Sequence, residues 1–139
     1  METNRSPLHS IRHLDYVVLL CRDVPRMRAF YENVMGFPFH KSLGDNFWVE
    51  LRAGSVLLTL RPRGGIQPGG KDSDGRWTEG AASVQLAFRV APSEVDACHR
   101  KLVEQGIEIL EPPKDQPWQH RTLFFRDPEH NVLEIYADL

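Results

Sequence analysis

Long apolar runs are missing from this chain of 139 residues. None approaches the ~20 residues that a helix needs to cross a bilayer, and the opening METNRSPLHS lacks the basic and then apolar profile of a secretory signal. Cysteine is scarce. Cys21 and Cys98 stand alone, with no C-x-x-C pair, so buried free thiols and a reducing compartment are expected. An excess of charge of one sign is absent too: 17 basic against 19 acidic side chains leave a net charge of -2, and no strong field draws the chain to nucleic acid or an anionic membrane. These absences leave a soluble, cytoplasmic protein whose partner is a small molecule. Phosphate-loop and dinucleotide motifs are also lacking, since RGGIQPGG is glycine-rich but leads into no apolar helix.

What is present is a repeat. One domain of this length buries roughly 70% of the surface of its unfolded chain. In LDYVVLLCRDVPRMRAFYENVMGF a β-branched and leucine-rich strand reaches Asp23, a candidate N-cap, and Pro25 suits the first helical turn. Val24, Met27, Tyr31 and Val34 recur at helical spacing, and Gly36 supplies the stop. SVQLAFRVAPSEVDACHRKLVEQGIEI repeats the plan: Pro92 and Ser93 open a helix, Val95, Cys98 and Leu102 form its buried stripe, and Gly106 ends it. The spans Tyr16 to Gly36 and Gln85 to Gly106 agree to within one residue. A hairpin follows each helix, turning at Ala53-Gly54-Ser55 and at Asp127-Pro128-Glu129-His130-Asn131. The expected organisation is module one at about 11–62, a linker at about 63–80 and module two at about 81–139. Arg61, Arg63, Arg76 and Trp77 flank or occupy the linker, a solvated connection or an anion-binding lid.

The D-x-P-x-x-x-x-F-Y-x-x-V-x-G-F string from Asp23 to Phe37 and the terminal FFRDPEHNVLEIY, with the repeat between them, resemble the vicinal oxygen chelate superfamily, also called glyoxalase/bleomycin resistance protein/dioxygenase. The resemblance implies an α+β fold of two tandem βαβββ modules whose curved mixed sheets form a cup-shaped, barrel-like cavity, usually in a homodimer. It also implies four strand positions that in the family's metal enzymes carry His, Gln or Glu. Here these map to Tyr16, seven positions before Asp23, to its repeat equivalent Gln85, and, aligning VLLTL with VLEIY, to Leu58 and Glu134.

Leucine donates no lone pair and a phenol is a poor ligand for a divalent ion, which leaves Gln85 and Glu134, fewer than the three protein ligands usual for a catalytic ion. The histidines offer no rescue. His13 is an odd number of residues from Tyr16 and so points away from it, His99 lies on the second helix, His9 is in the tail, and His40 and His120 fall at strand edges or loops.

PWQHRTLFFRDPEHN also resembles the metal-free bleomycin resistance proteins, with Gln119 and His130 where that pattern has glycine. His130 should then occupy a turn position of positive φ at a cost of about 1 kcal/mol. Tyr16, Trp48 and Trp118 offer faces for a planar or cationic ligand, Gln85 an amide, and Glu134 a charge. Glu134 lines the cavity in one reading; in the other it faces water or pairs with an arginine such as Arg121, a further candidate for the ligand site. Two functions follow. The first is a metal-free small-molecule binding protein acting by sequestration. The second is an enzyme, lactoylglutathione lyase-like or extradiol dioxygenase-like, that acts on vicinal oxygens through one divalent ion (Ni, Zn, Mn or Fe) held by Tyr16, Gln85 and Glu134. Without a metal, Tyr16 and Glu134 would instead serve as acid and base.

Overall fold

The computed structural model describes residues 6–64, 74 and 84–139. Most of the expected linker, with Arg76 and Trp77, lies outside them. The first module runs β1 (Tyr16–Cys21), α1 (Val24–Ala29), β2 (Phe39–Leu43), β3 (Trp48–Ala53) and β4 (Val56–Pro62). The second runs β5 (Gln85–Arg89), α2 (Glu94–Glu104), β6 (Ile109–Asp115), β7 (His120–Arg126) and β8 (Val132–Asp138). Each forms a four-stranded mixed sheet, β1-β4-β3-β2 and β5-β8-β7-β6, with the module's first strand parallel to its last. The βαβββ unit is thus built twice, and its sheets curve without closing into a barrel.

Local chemistry sets the element ends. Asp23 caps α1 by accepting from the Arg26 N–H at 3.1 Å, and Pro25 sits in the first turn where its missing donor costs nothing. The helix then widens into a π turn, Phe30–Val34, in which the Met35 N–H bonds the Phe30 carbonyl; nothing in the helical spacing announces this. Gly36 ends it at φ 74°, a conformation costly for residues with a Cβ. In α2, Ser93 makes no side-chain cap, but Glu94 and Asp96 place negative charge on the first turn, and Gly106 stops the chain at φ 72°. The turns at Gly54 and at Asp127 to Asn131 stand where the sequence sets them.

The core lies between each sheet and its helix. Leu19, Val49, Leu51, Leu58 and Leu60 pack with Met27, Phe30 and Tyr31; Leu123, Phe125, Leu133 and Ile135 pack on the side of Val95 and Leu102. Each such side chain contributes roughly 1.5–3 kcal/mol on burial.

A polar clamp joins the modules. The Glu129 carboxylate, almost fully buried, accepts from the backbone N–H of Arg22 at 2.8 Å and of Asp23 at 2.9 Å, and pairs with Arg63 at 3.2 Å. Its neighbour Asp127 accepts from the Tyr31 hydroxyl at 2.6 Å while also bonding the backbone N–H groups of Glu129 and Asn131. Burial, and then the Asp127 charge, push the Tyr31 hydroxyl far above its usual range, so it remains a donor. Phe37 and Phe88 meet beside the clamp, with ring centroids 5.4 Å apart.

Candidate functional site

Strand alternation gives each sheet one side against its helix and one side without. On the first sheet the pairing sets three rows across the helix-free side: Tyr16, Leu57 and Arg52; Val18, Thr59 and Glu50; and Leu20 with Arg61, which line one cavity with Trp48. The second sheet repeats them as Gln85, Val132 and Arg126; Ala87, Glu134 and Phe124; Arg89, Tyr136 and Thr122.

The register overturns one alignment made from sequence. Glu134 pairs with Ala87 and Phe124, and the residue in that place in the first module is Thr59, which pairs with Val18 and Glu50. Leu58 is one residue off. It faces the core at 3% exposure, opposite Leu51, and has no place on the helix-free side. A one-residue slip moves a side chain to the other face, and VLLTL has leucine on both faces with Thr59 its one polar residue, so its sequence marks the register only weakly.

The expected site residues fall into two groups. Gln85 Nε2 donates to Glu134 Oε1 at 3.2 Å, and the carboxylate is nearly buried. Tyr16 meets Trp48 edge to face, with centroids 6.1 Å apart and planes at 87°, and the two line an open cavity of about 370 Å³ with Val18, Leu20 and Arg61. Trp118 stands apart in the β6–β7 turn, 57% exposed. Arg121 lies on the helix side of its sheet, held by Asp115 and by Asp96 of α2 at 2.9 Å each, so the Arg121–Glu134 pair does not form.

Glu50 and Thr59, which the sequence did not single out, belong to the first face together with His40. Glu50 accepts from the Trp48 indole N–H at 2.8 Å and lies 3.8 Å from His40 Nε2. His40 reaches it because a bulge between Phe39 and Lys41 interrupts the pairing. Thr59 is fully buried, and its hydroxyl has no hydrogen-bond partner. The i, i+2 spacing of Trp48, Glu50 and Arg52 was the available signal. His120 stacks on Tyr136 with centroids 4.6 Å apart and lies 3.2 Å from Asp138. Among the described residues no three His, Cys, Asp or Glu side chains converge as a metal-binding group.

The family model for the Glyoxalase/Bleomycin resistance protein/Dioxygenase superfamily matches residues 13–135. The chain belongs to that superfamily. Among similar proteins, the uncharacterised protein YraH of Bacillus subtilis (strain 168) is 28% identical over 123 residues, which covers 87% of this chain and 94% of YraH. Metallothiol transferase FosB of Lysinibacillus sphaericus (strain C3-41) is 23% identical over 133 residues, 94% of this chain and 83% of FosB. The crystal structure of a glyoxalase/bleomycin resistance protein/dioxygenase from Nocardioides superimposes with a TM-score of 0.71 at 22% identity, covering 94% of this chain and 85% of that one, a likeness of fold.

With the register corrected, the four strand positions at which the resemblance sets the ion ligands of the superfamily's metal enzymes fall at Tyr16, Thr59, Gln85 and Glu134. They comprise a phenol, a neutral hydroxyl, an amide and one carboxylate, whose Oε1 already accepts from that amide. Three His or carboxylate ligands are the usual complement of a catalytic ion, and this donor set does not fit one.

Among the described residues no helix is long and apolar enough to cross a membrane.

Proposed function

We propose that this chain is a small-molecule binding protein that works without a bound metal, holding its ligand on the helix-free faces of the two sheets and acting by sequestration. One observation carries the reading: the site position with a carboxylate in module two, Glu134, has a neutral and buried threonine, Thr59, as its counterpart in module one. A single carboxylate tied to an amide is suited to orienting a ligand through hydrogen bonds and charge. Tyr16 and Trp48 supply aromatic surface, and the 370 Å³ cavity between them is within the range of small-ligand sites. A homodimer belongs to the same proposal, because β1 and β5 stand at the ends of their sheets among the described strands. A reducing, cytoplasmic setting suits the two free thiols.

A second reading is a divalent-metal-dependent lyase, isomerase or dioxygenase acting on vicinal oxygens. It draws on the similarity to FosB, whose name is metallothiol transferase. The experiment that separates the two is a thermal melt of protein purified without chelator, with and without added Ni²⁺, Zn²⁺, Mn²⁺ and Fe²⁺. The binding reading expects no rise in melting temperature. A rise that Glu134→Ala abolishes supports the enzyme.

A further inference from the structure

The charge on the first sheet's face is unevenly matched. Its three rows carry two guanidinium groups, Arg52 and Arg61, and one carboxylate, Glu50. That carboxylate is already engaged: Oε2 accepts from the Trp48 indole and Oε1 faces His40. Arg61 is half-buried at the wall of the 370 Å³ cavity that Trp48 also lines, and no carboxylate of the described residues pairs with it. In the next row the buried Thr59 hydroxyl has no partner. Thr59 is fully buried and does not line the cavity, so the contacts open to a ligand there are those of Arg61 and the apolar and aromatic wall.

The remaining surface is apolar or aromatic. Tyr16 and Trp48 meet at a right angle, with Val18 and Leu20 beside them. A flat ring of one or two fused cycles fits such a corner, resting on one aromatic face and meeting the edge of the other. A guanidinium next to that corner takes a carboxylate or sulfonate through paired, charge-assisted hydrogen bonds.

From this arrangement, and resting on the small-molecule reading above, we propose that the first-module face selects planar aromatic anions, with Arg61 as the specificity-determining residue and the Tyr16–Trp48 corner as the seat of the ring. A positively charged aromatic compound would meet Arg52 and Arg61 with its own charge unpaired. A neutral one would keep the stacking and lose the ion pair.

Three probes of one shape test this: 2-naphthoate, neutral 2-naphthamide and cationic 2-naphthylmethylamine. Each is titrated into the full chain while the Trp48 indole N–H resonance is followed, which localises binding. The proposal expects 2-naphthoate to bind at least tenfold more tightly than the other two, a preference that falls as salt rises. Arg61→Gln should abolish the preference for naphthoate over naphthamide and leave naphthamide binding in place. Arg61→Lys should keep part of the preference. A tighter fit for the amine, or an anion preference that survives in Arg61→Gln, overturns the anion proposal and leaves the small-molecule reading standing. Failure of all three probes to move Trp48 overturns both.

Discussion

The Tyr31 hydroxyl donates to Asp127 Oδ2 across 2.6 Å, and this bond ties the helix of the first module to the β7–β8 turn of the second. Tyr31→Phe removes the donor without opening a cavity. Asp127 Oδ2 keeps its bond from Asn131 Nδ2, so the loss should be that of one bond to a charged group, about 2 kcal/mol in urea unfolding. Asp127→Ala should cost more, because it also strands the backbone N–H groups of Glu129 and Asn131.

Alkaline pH should weaken the fold, and Cys21 supplies part of the reason. Burial, and after it the charges of Glu129 and Asp127, push this thiol from 9.0 up to about 12. A group whose folded value is raised stabilises fully below its unfolded value. Between pH 9 and 12 the unfolded chain has lost that proton while the folded chain keeps it, so stability falls as pH rises, by up to about 1.4 kcal/mol per unit. Tyr31 acts in the same direction. Melts of Cys21→Ala and the parent across that window should show a shallower decline in the variant.

His130 and Gln119 occupy left-handed backbone, at φ 69° and 68°. Residues with a Cβ pay about 1–2 kcal/mol there, and glycine returns part of that gain through its freer unfolded state. His130→Gly and Gln119→Gly should each raise stability by about 0.5–1 kcal/mol, read as an upward shift in melting temperature.

Much of the fold was legible because its signals are local. The Asp23 cap, the Gly36 and Gly106 stops, the two hairpin turns and the strained position at His130 are each set by a few adjacent residues. The site was less legible because its determinants are pairings. Whether Thr59 or Leu58 matches Glu134 depends on the β3–β4 register, and the apolar run around them lacks the alternation that would reveal it. Glu129 reads in sequence as a turn residue, yet it binds backbone 107 and 106 positions away at Arg22 and Asp23. His40 reaches Glu50 only through a bulge, which its sequence does not mark.

Arg121 and Glu134 should separate in their effects. Arg121 is bound to Asp96 and Asp115 at the exposed edge of α2, so Arg121→Ala should change stability by about 1 kcal/mol or less and leave 2-naphthamide binding unchanged. Glu134→Gln, on the helix-free side, should leave the fold intact and alter the affinity of ligands that reach the second sheet.

Metal content separates a binding protein from a metal enzyme. Elemental analysis of protein purified without chelator should find substoichiometric Ni, Zn, Mn and Fe, at the same level in the parent and in Glu134→Ala. One equivalent of any of these ions, lost in Glu134→Ala, would contradict the metal-free reading.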